Sequence, residues 1–284
     1  MDVNVIGSNI SSEGNTSVNA EGNYNIIAVN EEHYYKKTTK KSGFGTGGSI
    51  YGSEKKTDMV RDSKVNASNL EIKGKYASHS KKDTNIVGSS ITAGEAEITT
   101  GGNLNILAAY DTHDEQHITE TSGIGGGGGK NMYSMSIDAV SEGSTTAVGS
   151  MINAGTLMLR SGNDIYMEGS TINANDATIE AAGNFTETTA RNTSYHEEIH
   201  QSANITTGSG LKDLAKGFKT FGYSFKDKVQ YKDGRFSTKL GRADYHKLDT
   251  KTDTVTQTSS SLNIANSLSI KAGNDITITG SEIN

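Results

Sequence analysis

His196, Glu197 and His200 spell H-E-x-x-H, a spacing with a known chemistry. On a helix, two imidazoles one turn apart would hold a zinc ion and the glutamate between them would serve as general base. The surrounding text speaks for strands instead. His113 and His117 repeat the H-x-x-x-H spacing with Asp114 in the glutamate's place, and His33 follows Gly22 by the same eleven residues that separate His113 from Gly102. The segment after His200, QSANITTG, is β-rich and has no obvious third ligand. The histidines are therefore expected on polar strands generated by repetition, with no catalytic residue and no cofactor. A zinc metalloenzyme using His196, Glu197 and His200 is the rival reading.

Gly43, Gly45 and Gly48 satisfy G-x-G-x-x-G, as do Gly123, Gly125 and Gly128. A phosphate loop needs a buried strand before the glycines and a helix after them. Here charged, Thr-rich text precedes and Ser/Tyr-rich text follows, so tips of paired strands are expected.

Residues 211–251 differ from the rest. They hold eleven Lys or Arg against five Asp in a chain whose net charge is -6. Leu211, Leu214, Phe218, Phe221 and Phe225 fall at helical spacing, with Lys212, Lys216 and Lys219 away from that stripe. A basic amphipathic helix of this kind suits a membrane surface or a partner's groove. The blander reading packs the stripe sideways on the body of the protein, and Gly217 and Gly222 weaken any free-standing helix. No nucleic-acid partner is expected.

What positions these segments is a repeat. In 284 residues the hydrophobic share is only 32%, with 33 Gly and no Pro, Cys or Trp. A disulfide framework and a thiolate zinc site are excluded, and no apolar run reaches bilayer-spanning length. The aliphatics recur singly between Gly, Asn, Ser and Thr, which suits a thin core in an elongated body. Residues 149–184 write two successive turns of one structure: Gly149-Ser150 returns as Gly169-Ser170, and Gly162-Asn163 as Gly183-Asn184. Related text fills 88–107 and 262–284. Strands such as 276–278 alternate apolar and polar residues and cannot bury one face alone, so copies must stack into on the order of seven coils. A longer period is nested over this one. Gly22, Gly102 and Gly183 lie 80 and 81 residues apart, and each leads into a polar excursion, at about 31–64, 112–146 and 192–260. These read as hairpin arms.

The coil text GS-x-I-N/T-A, then an aliphatic strand, then G-N-D/L-x-I, as at 149–165 and 88–106, resembles the hemagglutinin repeats of two-partner-secreted exoproteins. That family includes filamentous hemagglutinins and contact-dependent growth inhibition effectors. The arms running into SGFG and SGIG are similar to its second repeat region. The resemblance implies a bacterial surface or secreted fibre, exported through an outer-membrane transporter and meeting a host or neighbouring-cell surface. It further implies an adhesive stalk or a part in toxin delivery, with the basic third arm as the candidate contact to a partner or target-cell membrane. The expected fold is all-β: a right-handed parallel β-helix, or solenoid, with protruding β-hairpin arms and room for one short amphipathic helix. The whole of 1–284 is expected to be one repeat segment cut from a longer array.

Overall fold

A computed structural model describes residues 1–125, 131–207, 235–238 and 241–284. The described chain is mostly β and largely parallel, an architecture like that of a β-helix. Seven short strands, Val3–Ile6, Tyr24–Ile27, Thr84–Val87, Leu104–Leu107, Ile165–Glu168, Phe185–Thr188 and Ile276–Ile278, pair in that order into one parallel sheet. A second parallel sheet holds the longer strands Asn69–Ser80, Ser90–Thr100, Met151–Ser161, Thr171–Ala181 and Ser261–Ala272, flanked by Asn9–Ser12 and Glu282–Ile283.

The two parallel sheets share one core. Alternation turns every second residue inward, so Ile86, Leu104, Ile106 and Ile165 from the first meet Ile91, Ile98, Ile152, Leu159 and Ile179 from the second, all at most 1% exposed. Equivalent positions stack directly, as in Ile91 on Ile152 on Ile172 on Leu262. Tyr24 and Tyr76 close the core towards the amino-terminal coils, with their hydroxyls 3.0 Å apart.

Buried serines link the coils. The backbone N–H of Ser68 donates to Ser89 Oγ, Ser89 to Ser150, Ser150 to Ser170 and Ser170 to Ser260, at 3.0–3.3 Å. In turn Ser68 Oγ donates to the Ile27 carbonyl (2.9 Å), Ser150 Oγ to Leu107 (2.7 Å) and Ser260 Oγ to Thr188 (2.6 Å). Each of these serines follows a hairpin, and each carbonyl precedes the same hairpin, so every arm is clasped at its base. Gly88 and Gly169 sit beneath the arms with φ of +55° and +54°. A Cβ at either would lie 2.4 Å from the Cβ of Ala109 or Ala190, where an arm begins.

The hairpins are Val29–Phe44 with Tyr51–Asn66, Ala109–Ile124 with Asn131–Val148, and Ala190–Thr207 with Gly241–Thr258. A strand of sixteen residues reaches about 54 Å. The hairpins do not stand apart from one another: they pair edge to edge into one antiparallel sheet, in which Arg235–Thr238 adds a short strand. Geometry makes this possible. In the short-strand sheet the register steps by 21, 60, 20, 61, 20 and 91 residues, so a hairpin is inserted at every second coil. Two coils advance the stack by two strand spacings, and a hairpin contributes two strands, so both layers climb at the same pitch of about 9.6 Å per repeat. Where neighbouring hairpins diverge at the base, Asp111 Oδ1 and Asn192 Oδ1 accept from the freed N–H groups of Val65 and Ala147, both at 2.7 Å. The amphipathic stretch expected from Leu211 to Phe225 lies outside the described residues.

Candidate functional site

Register in the arm sheet decides which side chains meet, because residues directly opposite one another share a face. His33 is opposite Asp62, and Asp62 is opposite His113. One row further out Glu115 faces Glu142, which faces His196. Beyond these come His117 opposite Asp58 and His200 opposite Asp138. His246 lies opposite Ser202, two further along the same strand as His200. Counting along each strand in steps of two puts His33, His113, His117, His196, His200 and His246 on one face. That gathers six of the chain's seven histidines.

Carboxylates interleave with them. His113 Nδ1 lies 2.6 Å from Asp62 Oδ1. His117 holds Asp58 through Nδ1 at 2.8 Å and Glu115 through Nε2 at 2.7 Å. His196 makes the same two-sided contact with Glu142 at 2.8 Å and Glu198 at 3.1 Å, and His200 Nδ1 reaches Asp138 at 2.8 Å. A ring with a carboxylate on each nitrogen suits the imidazolium, which donates from both. The hydrogen bond to Asp62 holds His113 above the ordinary imidazole pKa, those to Asp58 and Glu115 do so for His117, and those to Glu198 and Glu142 for His196. These pairs are 41–51% exposed on the histidine side, so each adds little to stability by itself.

The H-E-x-x-H segment thus lies inside a strand, with His196 and His200 on this face and Glu197 on the other. The strand separates the glutamate from both imidazoles, where a zinc-site base would need to stand beside them. Among the described residues no group of three or more His, Cys, Asp or Glu gathers as a metal site. Gly43, Gly45 and Gly48 occupy the tip of the first hairpin around the short 3-10 turn Thr46–Gly48, and Gly123 and Gly125 end the outgoing strand of the second; Gly128 lies outside the described residues. Leu211, Lys212, Leu214, Lys216, Phe218, Lys219, Phe221 and Phe225 also lie outside them.

Two features escape a reading of motifs. The carboxylate partners of the histidines come from strands 51–62 residues away in sequence for His113, His196 and His200, and only the pairing register reveals them. Glu187 is the other. It occupies the inward position taken by Ile106 and Met167 in earlier coils, is fully buried, and neither carboxylate oxygen has a hydrogen-bond partner. Burial pushes its pKa up to about 7. Its alternation with Phe185 is the available sequence signal.

Parallel sheets of stacked coils over one thin core, with a lateral sheet of hairpins climbing at the same pitch, define a stacked-repeat β protein. The chain belongs to the hemagglutinin repeat family, whose model matches residues 1–123 and 132–284. It is 27% identical over 226 residues to the tRNA nuclease CdiA-2 of Burkholderia pseudomallei (strain 1026b), a match covering 74% of this chain. The chain spans about 7% of that relative's length, and the nuclease activity is that protein's own. No solved structure matches. Membership makes this a secreted, cell-surface-associated repeat protein.

Proposed function

We propose that residues 1–284 form one segment of a right-handed parallel β-helical stalk in a longer exoprotein that mediates cell contact and carries an effector to a target cell. The observation that carries this reading is the shared pitch of coils and hairpins, which lets the repeat extend without strain between its two layers. An outer-membrane two-partner-secretion transporter passes the chain out unfolded, and the lack of Cys suits such a route. The stalk then meets a host or neighbouring-cell surface. The likeness to a CdiA protein supports delivery as well as adhesion. Within the chain, the basic residues 211–251 are the segment we assign to contact with a partner or the target-cell membrane, through Leu211, Leu214, Phe218, Phe221 and Phe225 flanked by Lys212, Lys216 and Lys219.

Fluorescently labelled protein tests this, applied to bacterial and epithelial cells with and without residues 211–251. Saturable binding that falls on deletion, while the folded signal in circular dichroism persists, is the expected result. Equal, non-saturable adherence of both proteins to every cell type would remove the contact role and leave an inert spacer.

A further inference from the structure

One column of side chains changes at every coil although the strands it joins are much alike. It stands at the turn that leads into each strand of the short-strand sheet. Asp2, Asn23, Asp83, Asn103, Asp164, Asn184 and Asp275 follow one another along the stack, and the Oδ1 of each accepts the backbone N–H of the next. Aspartate and asparagine alternate throughout. The asparagine coils are the ones that carry a hairpin, after Tyr24–Ile27, Leu104–Leu107 and Phe185–Thr188; the aspartate coils carry none. Bond lengths alternate too, at 2.8, 2.8 and 2.7 Å to Asp2, Asp83 and Asp164 but 3.2 Å to each of Asn23, Asn103 and Asn184. A charged acceptor gives the shorter and stronger bond. Each hairpin-bearing coil is thus held most tightly to the hairpinless coil before it, and the two form a unit.

A neutral ladder joins coils equally well in any phase. Two residues further along, Asn4, Asn25, Asn85 and Asn105 link coil to coil through their amides at 2.7–2.8 Å with no alternation, and the inward aliphatics are as interchangeable. Such a chain can omit a coil from the stack in two ways. Leaving out a hairpinless coil crowds two hairpins into the height of one and sets Ala109, the foot of a hairpin, over Ala28 where Gly88 now makes room. The arms forbid that error. Leaving out a hairpin-bearing coil crowds nothing, because the remaining hairpins only lie further apart. In that case Asp164 comes to rest on Asp83, two half-buried acceptors with no donor between them, at about 4.8 Å instead of about 9.6 Å. We propose that the alternating column is a phase lock. By like charge it rejects the omission that the arm layer does not exclude by crowding, and so keeps one hairpin to every two coils as the chain folds.

The chain has no cysteine, so an introduced pair can report the stacking. Asn85 and Tyr166 both pair with Asn105 from opposite sides, which sets them two strand spacings apart, about 9.6 Å and too far for a disulfide. They become neighbours only when the coil of Leu104–Leu107 is left out. The whole chain carrying N85C and Y166C is refolded from urea in a glutathione buffer, and the intramolecular disulfide is read on a non-reducing gel. Adding D83N and D164N should raise the cross-linked fraction about fivefold, the factor matching the Coulomb energy of two unit charges one strand spacing apart in water. In about 1 M NaCl the two proteins should cross-link alike, since screening removes the repulsion. Equal cross-linking at low salt, or a difference that persists in the high salt, overturns the proposal. If the D83N/D164N protein does not fold, Asn103→Asp decides: three aspartates then stack in succession, and the urea midpoint should fall at low salt and recover in the high salt. A midpoint that stays put, or falls equally in both, overturns it.

Discussion

A carboxylate in an aliphatic ladder carries a cost that depends on pH. Glu187 has a folded pKa near 7 against an ordinary 4.5, so the folded state holds its proton more tightly than the unfolded chain. Its contribution to stability is fully present below about 4.5 and is lost as pH rises to about 7. Glu187→Met should therefore stabilise the protein by about 2 kcal/mol more at pH 8 than near pH 4.5, where it still removes a buried carboxyl without hydrogen-bond partners, as read from urea midpoints at the two values. This is less than the full free-energy equivalent of the raised pKa, because a protein relaxes around a buried charge and admits water to it. Ser150 is the opposite case, a buried polar group with every partner in place. Ser150→Ala removes the acceptor for the Ser89 N–H and the donor to the Leu107 carbonyl at the foot of the second hairpin. A loss of about 1–3 kcal/mol in chemical denaturation is expected.

Among the elements, the arm sheet answers to acid in the same direction as Glu187. His113, His117 and His196 gain carboxylate partners on folding and have raised pKa values. Their stabilisation is fully present below the unfolded imidazole value of about 6.5 and fades as pH rises through the folded values. Hydrogen exchange of arm-strand amides should accordingly show greater intrinsic protection at pH 6 than at pH 8.5, after correction for chemical exchange rates. The double variant His117→Gln, His196→Gln should shrink that difference, and an unaltered difference would refute the link. How much of this was legible in the chain differs by element. The short strands announce themselves, because Ile276-Thr277-Ile278 alternates and Gly or Asn bounds it. The hairpins are legible as polar departures every 80 or 81 residues. Their lateral pairing is not, since it follows from equal pitch in two layers and no residue encodes that alone. For the same reason the histidine face is hidden: His196 stands thirteen residues after Gly183 where His113 stands eleven after Gly102, and that offset sets His196 beside Glu142 in the row of Glu115.

At the scale of the whole molecule the unit is two coils plus one hairpin. Removing residues 88–168 deletes one complete unit and joins Val87 to Gly169, which occupies the position of Gly88. The shortened protein should fold with a single cooperative transition. Removing 88–107 deletes a lone coil and asks two hairpins to fit into the height of one, so thermal unfolding should broaden or split and arm amides should lose protection. Equal cooperativity in both deletions would show that the two layers are not coupled.

The third hairpin takes a register step of 90 to 91 where the others take 60 and 61, yet the coils on either side pair in parallel across it, with a single one-residue shift between Ala174 and Asp176. Its extra length falls between Thr207 and Gly241, at the end farthest from the clasp formed by Ser260 and the Thr188 carbonyl. The stacking of the coils is kept whatever the number of residues between these two strands. The tips are thus docking ports for foreign sequence: an epitope, a reporter or a binding peptide grafted at one of them would be carried at the end of strands about 54 Å long while the repeat beneath keeps its count.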